Sequence, residues 1–253
     1  MRSFFLVLPL LLFFRDSRSN PTASSQQIVV SVTDNWSTLK TQVAVYERSG
    51  KTWNKLMSFP AVVGKLGLGW GVGKHNQFVR TQKGDPIKHE GDKKAPAGVF
   101  ELVQSFGYDK LEGIPGTNPR LPQYFQVDEH SRCVDDYKSK YYNNQVFDER
   151  EVKKDWDSHE RLRRDDVLYK LAIVVDHNRV NVKSIDRSEK LGSCIFLHIW
   201  RGADSGTAGC TAFSQEKMLK LYSVLDSRKK PLLVQLPKSE YIRYSKQWGL
   251  PSL

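Results

Sequence analysis

Residues 192–214 read GSCIFLHIWRGADSGTAGCTAFS. The apolar, β-branched run at 194–200 predicts a strand. In a strand alternate residues share a face, so Cys194, Phe196, His198 and Trp200 point one way and Ile195, Leu197 and Ile199 the other. The small and polar residues 201–206 predict a loop that returns the chain, bringing Cys210 beside the strand end that holds His198. A cysteine directly after a glycine, with a histidine upstream, is the residue set of thiol acyl transfer. The thiol gives its proton to a nearby base, and the glycine lets a backbone N–H approach the developing oxyanion. Two other readings fit the same residues. A buried cysteine is often a small apolar core residue, and Cys194, His198 and Cys210 are all of metal-ligand type. Four strand positions put Cys194 about 13 Å from His198, too far to share one small ion, and no HExxH or paired CxxC motif is present.

The chain has 253 residues, of which 39% are hydrophobic, enough for one sizeable core in one domain. Its formal net charge of +11 is dispersed, with no run of five basic residues. Without a zinc-finger or RNA-recognition signature, this argues against a nucleic-acid partner and suits an acidic polymer. Residues 1–19 read as a secretory signal: Arg2, then the short apolar run SFFLVLPLLLFF, then small residues Ser17 and Ser19 near a cleavage point. The run is too short to span a bilayer comfortably, so no transmembrane segment is expected after its removal. An uncleaved anchor is the alternative. Cleavage after Ser19 removes three arginines and one aspartate, which leaves +9. Three cysteines in an exported chain leave one thiol unpaired. Cys133 and Cys194 are one possible disulfide, with Cys210 free; three reduced thiols are the other state.

Residues 20–27 form a polar spacer. Strands are expected from Ile28, through residues 41–48 and over 52–63, with a hairpin at Ser49-Gly50. The glycines of GKLGLGWGVG (64–73) lack dinucleotide-site spacing and read as a permissive loop. A further strand is expected at 99–103. Residues 107–122, rich in Gly and Pro, are irregular: a cleft wall or a surface decoration. Asp135, Asp136, Tyr141, Tyr142 and Asn143 cluster polar and aromatic groups, as clefts for sugars and peptides do, and as exposed turns do. The mixed charges of 149–166 predict a solvated, partly helical segment, and 168–176 a strand ending at His177, a candidate supporting histidine. Ser214 reads as an N-cap, with Met218, Leu221, Tyr222 and Leu225 at helical spacing. A closing strand, LLVQL, precedes a tail at 238–253. Strands outnumber helices, so the fold class is mainly β, a sandwich with one or two helices and long loops.

The segments GDKKAPAGVFEL (91–102), CVDDYKSKYYNN (133–144), GSCIFLHIW (192–200) and TAGC (207–210) together resemble the L,D-transpeptidase catalytic domain (YkuD-like), over residues 28–237. The resemblance implies a β-sandwich catalytic domain acting on peptidoglycan stem peptides in the periplasm or cell envelope. It implies Cys210 as nucleophile, His198 as base, and the Gly209 and Cys210 N–H groups as the oxyanion site. Arg201, Thr207, Tyr142 and Asn143 are the candidate substrate contacts. No metal or organic cofactor is implied. Ala208 stands where the family's motif carries a second histidine, the interval from His198 to Cys210 is shorter than usual, and no arginine follows the cysteine; Arg201 is the candidate replacement. The outcome, crosslinking or carboxypeptidase hydrolysis, stays open, as does the oligomeric state. Two rival functions remain: a non-catalytic wall-binding module, and a papain-like Cys/His peptidoglycan endopeptidase. The latter has Cys before His and opening a helix, the reverse of the order here.

Overall fold

In a computed structural model, the described residues are 20–76, 79, 81, 83–179 and 190–253. The signal read at 1–19 lies outside them. In chain order the strands are β1 (Gln27–Thr33), β2 (Lys40–Ser49), β3 (Thr52–Val62), β4 (Leu68–Trp70), β5 (Ala95–Gly107), β6 (Tyr124–Gln126), β7 (Arg132–Val134), β8 (Gln145–Val146), β9 (His159–Arg161), β10 (Leu171–Val175), β11 (Phe196–Ile199), β12 (Thr211–Phe213) and β13 (Leu232–Pro237). Helix α1 spans Gln215–Val224 and α2 spans Lys238–Trp248.

The expected mainly β class is what forms. Ten strands make one sheet in the order β10-β11-β12-β3-β2-β1-β13-β5-β4, with β6 on β5 and a further pairing of β10 with β5 that closes the ring into a barrel-like sandwich. The β2–β3 hairpin pairs Ser49 with Thr52, and Gly50 takes the positive φ of 59° that such a tight connection needs. β11 and β12 run parallel, as do β1 and β13.

Alternation along the strands sorts the apolar side chains to two sides. Val29, Val43, Val45, Phe59, Phe100, Ile173, Leu197 and Leu233 share one cluster with Met218, Leu221 and Tyr222 of α1. Ile28, Val30, Tyr46, Val99, Leu232 and Val234 face the other way, onto α2. Ser214 caps α1 as its sequence predicts, its side chain accepting from the Lys217 N–H.

Four expectations change. The glycine-rich loop contains β4, which pairs in parallel with Ala95, Pro96 and Ala97; its glycines serve close approach. A Cβ on Gly67, at φ +79°, would lie 2.0 Å from the Trp36 carbonyl oxygen. The polar spacer is fixed to the fold. Thr22 Oγ1 donates to the Trp248 carbonyl at 2.5 Å, and Gln27, already in β1, donates from Nε2 to the Val224 carbonyl at 2.9 Å. The irregular segment 107–122 contributes Ile114 and Leu121 to the α1 core, and none of its residues lines the cleft described below. The tail forms α2, which buries Tyr241, Tyr244 and Trp248.

Trp248 is fully buried, stacked on Tyr244 at 4.5 Å. Trp248→Ala is therefore expected to cost about 3–5 kcal/mol, read as a lower urea midpoint. A loose tail would give a change near zero.

Candidate active site

The strand that opens the sequence argument is β11, shorter than the expected 194–200: Cys194 precedes it in the left-handed region at φ 54°, and Trp200, expected on the His198 face, follows it and packs against the α1 core. Ile195, Leu197 and Ile199 enter the α1 core, whereas Cys194, Phe196 and Cys210 share a separate cluster on the opposite side. The parallel pairing sets Leu197 against Thr211 and His198 against Ala212. Cys210 is two residues before Ala212 and so on the same side as His198. At about 4.8 Å between strands and 3.3 Å per residue, the diagonal between their Cα atoms is roughly 8 Å, a span two side chains can close. Buried Gln235 on β13 locks this register: Thr211 Oγ1 donates to its Oε1 at 2.7 Å and its Nε2 donates to the Pro96 carbonyl at 2.9 Å.

A cleft of about 560 Å³ opens here, lined by both Cys210 and His198. The Cys210 sulfur accepts from the Phe196 N–H at 3.3 Å, and its S–H reaches the Cys194 carbonyl at 3.6 Å. Burial, then the nearby Glu160 carboxylate, pushes the thiol up to about 12. Burial holds the His198 imidazole down at about 4. At rest both groups are neutral. His198 Nδ1 lies 2.8 Å from the Ile199 carbonyl, which can only accept. The Nδ1 therefore carries the proton and Nε2 carries the free lone pair.

Cys133 and Cys194 form the disulfide, and Cys210 is the free cysteine. The bridge ties β7 of the three-stranded sheet β8-β7-β9 to the segment entering β11. Cys133 pairs with Glu160 across the β7–β9 ladder, so the disulfide places Glu160 over the cleft.

Glu160, Tyr169 and Arg164 are the site residues that sequence reasoning missed. The segment 149–166, expected to be solvated and partly helical, holds a short 3-10 turn at Glu149–Glu151 and then strand β9. The Tyr169 hydroxyl donates to Glu160 Oε1 at 2.6 Å, and Tyr169 lines the cleft together with Cys210. Its ring meets His198 edge-on at 5.2 Å. Arg164 Nη1 is 3.6 Å from Glu160 Oε1. Burial raises the Glu160 carboxyl to about 7.

Among the expected substrate contacts, Arg201 lines the cleft, largely exposed, 3.9 Å from Asp166. Thr207 also lines it, but its hydroxyl is used in the turn: it donates to the Cys210 carbonyl at 2.6 Å and accepts from the Gly209 N–H at 3.1 Å. The Gly209 N–H must leave that partner before it can serve an oxyanion. Tyr142 and Asn143 do not line the cleft. Tyr142 donates to Glu90 at 3.2 Å. Asn143 donates to the His177 and Asn178 carbonyls and accepts from the Cys194 N–H at 2.9 Å. Both are braces behind the wall, because burial leaves Asn143 no face toward solvent. His177 is likewise a brace: Nδ1 accepts from the Val72 N–H at 3.1 Å and Nε2 faces the Leu191 carbonyl at 2.9 Å.

Replacing Cys133 and Cys194 together by serine opens a loop spanning 61 residues. The expected loss is about 2–4 kcal/mol, measured by denaturant titration with and without reductant; the serine variant should show no reductant dependence.

The L,D-transpeptidase catalytic domain (YkuD) profile matches residues 25–234. No curated protein matches. Among solved structures, Bd1075 of Bdellovibrio bacteriovorus matches at 16% identity with a TM-score of 0.39, over 88% of this chain and 54% of that one. The chain thus spans about half the length of that protein.

Proposed function

The chain belongs to the L,D-transpeptidase catalytic-domain family, and on that premise we propose that Cys210 is the nucleophile and His198 the base of an acyl transfer on peptidoglycan stem peptides. The observation that carries this reading is the placement of the free thiol and an Nδ1-protonated imidazole on one side of β11–β12, along a single cleft. A volume of about 560 Å³ suits a short peptide segment.

The chemistry follows from the resting charges. With both groups neutral, the thiol proton moves to His198 Nε2 as the sulfur attacks the carbonyl of an L,D-peptide bond. The Phe196 N–H already points at the sulfur and favours its thiolate. As the C–N bond breaks, Nε2 returns the proton to the leaving amine, D-alanine in the family's reaction, and a thioester remains on Cys210. An acceptor amine then gives a crosslink, or water gives hydrolysis. The Cys210 N–H, with Gly209 once released by Thr207, serves the oxyanion. Arg201 at the cleft lip is a contact for substrate carboxylate.

The net charge of +11 suits an anionic wall polymer. Export is part of the reading: the disulfide fits an oxidising compartment, and among the described residues no helix is long and apolar enough to cross a membrane. A papain-like arrangement is disfavoured, because Cys210 leads into strand β12 and not a helix. Ala208, in place of a second histidine, is the one feature that favours a non-catalytic wall-binding module.

Purified stem tetrapeptide should yield D-alanine and an acyl-enzyme mass on Cys210, and a carbapenem should leave a covalent adduct there. Cys210→Ala is expected to reduce release by at least about 10³-fold; undiminished release rejects the assignment, and wall binding without any adduct favours the module. Because burial holds His198 near 4, the base stays neutral and competent as pH falls below the ordinary histidine value. The acid limb of kcat/KM should therefore lie below pH 6, in a pH–rate series.

A further inference from the structure

We propose that Lys88 is a positioning residue for the turn that carries Cys210: its ammonium, buried with Asp92 beneath Gly209, seats that turn and gives it a positive underside. The inference rests on the reading of Cys210 as nucleophile and adds to it a residue that does not line the cleft.

Among the described residues Lys88 is the only buried lysine, with 2% of its surface exposed. An ammonium in such a place needs partners, because burying it alone is costly. Its Nζ donates to Asp92 Oδ1 at 2.6 Å and to the His89 carbonyl at 2.5 Å. The Asp92 carboxylate in turn accepts from the Lys94 N–H at 2.9 Å and the His89 N–H at 2.7 Å. One ion pair thus closes residues 88–94 on themselves. The Lys88 main chain is fixed as well, its N–H donating to the Trp70 carbonyl of β4 at 2.9 Å.

The closed loop bears on the turn of the nucleophile. Gly209 directly precedes Cys210, and a Cβ there would lie 3.2 Å from the Lys94 carbonyl oxygen and 3.7 Å from Lys88 Cε. A Cβ on Gly192, two residues before Cys194, would lie 3.0 Å from Lys88 Cε and 3.2 Å from Nζ. The lysine is therefore packed against both the segment entering β11 and the turn entering β12. The loop holds the far side of that turn too: the Lys93 carbonyl accepts from the Leu66 N–H at 3.0 Å, and the adjacent Lys65 N–H donates to the Thr207 carbonyl at 2.9 Å.

Packing alone does not call for a charge here. A methionine would fill the space of the lysine stem, and a buried ion pair is often no more stabilising than apolar side chains of its volume. The charge has a use where it lies. Attack turns the thiol into a thiolate and the substrate carbonyl into an oxyanion, both at Gly209-Cys210, and a cation in a water-poor interior favours both. Lys88 favours ionisation of the Cys210 thiol, whereas Glu160 opposes it. Glu90 and His177 are the other titratable groups within its influence, and its partner Asp92 offsets its field.

The test is the pH dependence of Cys210 alkylation by iodoacetamide in the full chain, with the modified residue mapped by peptide mass. Lys88→Met keeps the stem and removes the charge. Its profile should move to higher pH by about one unit, so that the rate at pH 8 falls about tenfold. Asp92→Asn keeps an acceptor for Lys88 and removes the opposing charge, so its rate at the same pH should rise. Opposite signs mark a charge effect, whereas a turn that has merely lost its support shifts both variants the same way. D-alanine release should follow alkylation, Lys88→Met lowering kcat and leaving KM unchanged. A Lys88→Met profile that overlays wild type overturns the proposal, as do two variants that shift together. Should Lys88→Met fail to fold, Asp92→Asn decides: a faster rate supports the proposal, and an unchanged or slower one overturns it. A wild-type chain that gives no Cys210 adduct removes the nucleophile reading and this one with it; an adduct in wild type with no shift in the variants removes only the role of Lys88.

Discussion

The parallel register of β11 and β12, with His198 opposite Ala212, is the constraint from which the site follows. A slip of one residue would turn Cys210 to the α1 core and remove it from the cleft, because side-chain direction alternates along a strand. Several buried contacts oppose that slip. Thr211 is held by Gln235, which also binds Pro96 of β5, so the strand after the cysteine is tied to two others across the sheet. Leu197 and Ile199, on the far face, are packed among the core residues of α1. The turn before the cysteine is stapled by Thr207 at both Gly209 and Cys210. The chemistry depends on a register, and the register on a hydrophobic face and a few satisfied polar groups.

A second constraint is the disulfide. Short strands such as β7, β8 and β9 make a sheet of marginal stability alone. Cys133–Cys194 joins that sheet to the entry of β11, and Arg132 on β7 pairs with Glu149. Glu160 is thereby brought to the cleft from a part of the chain that owes little to the barrel. Asn143 completes the attachment, holding the Cys194 N–H and the two carbonyls after β10 together. Its positive φ of 60° is of the kind asparagine tolerates best.

What the sequence made legible was periodic or local. The alternation of Phe196 to Ile199, the Ser49-Gly50 turn and the Ser214 cap each depend on neighbours a few residues away, and each formed as read. The residues that were not legible owe their place to distant partners. Glu160 sits among HERLRRDD, a run whose mixed charges describe a solvated face; its ladder partner Cys133, bridged to Cys194 61 residues further along the chain, is what brings it to the cleft. Tyr142 and Asn143 looked like cleft residues because braces and binders use the same polar and aromatic side chains. Helix α2 was hidden because YIRYSKQW puts apolar positions in the form of tyrosine and tryptophan, and only contact with the outer face of β1, β5 and β13 shows them to be core.

The resting chemistry of Cys210 also answers a hazard of its position. The sulfur lies 3.6 Å from the carbonyl of Cys194, a residue already in a disulfide. Thiol–disulfide exchange proceeds through the thiolate. Burial and the adjacent carboxylate hold the thiol up at about 12, so the attacking species is scarce while the cleft is empty. On the proposed reading of Cys210 as nucleophile, the same burial slows acylation, and the two would be separated by what arrives: a carbonyl in the cleft would offer the sulfur an electrophile together with an oxyanion for the turn's N–H groups. On that reading, chemistry gated by the electrophile, and not by a preformed thiolate, is what lets a free cysteine and a disulfide persist side by side.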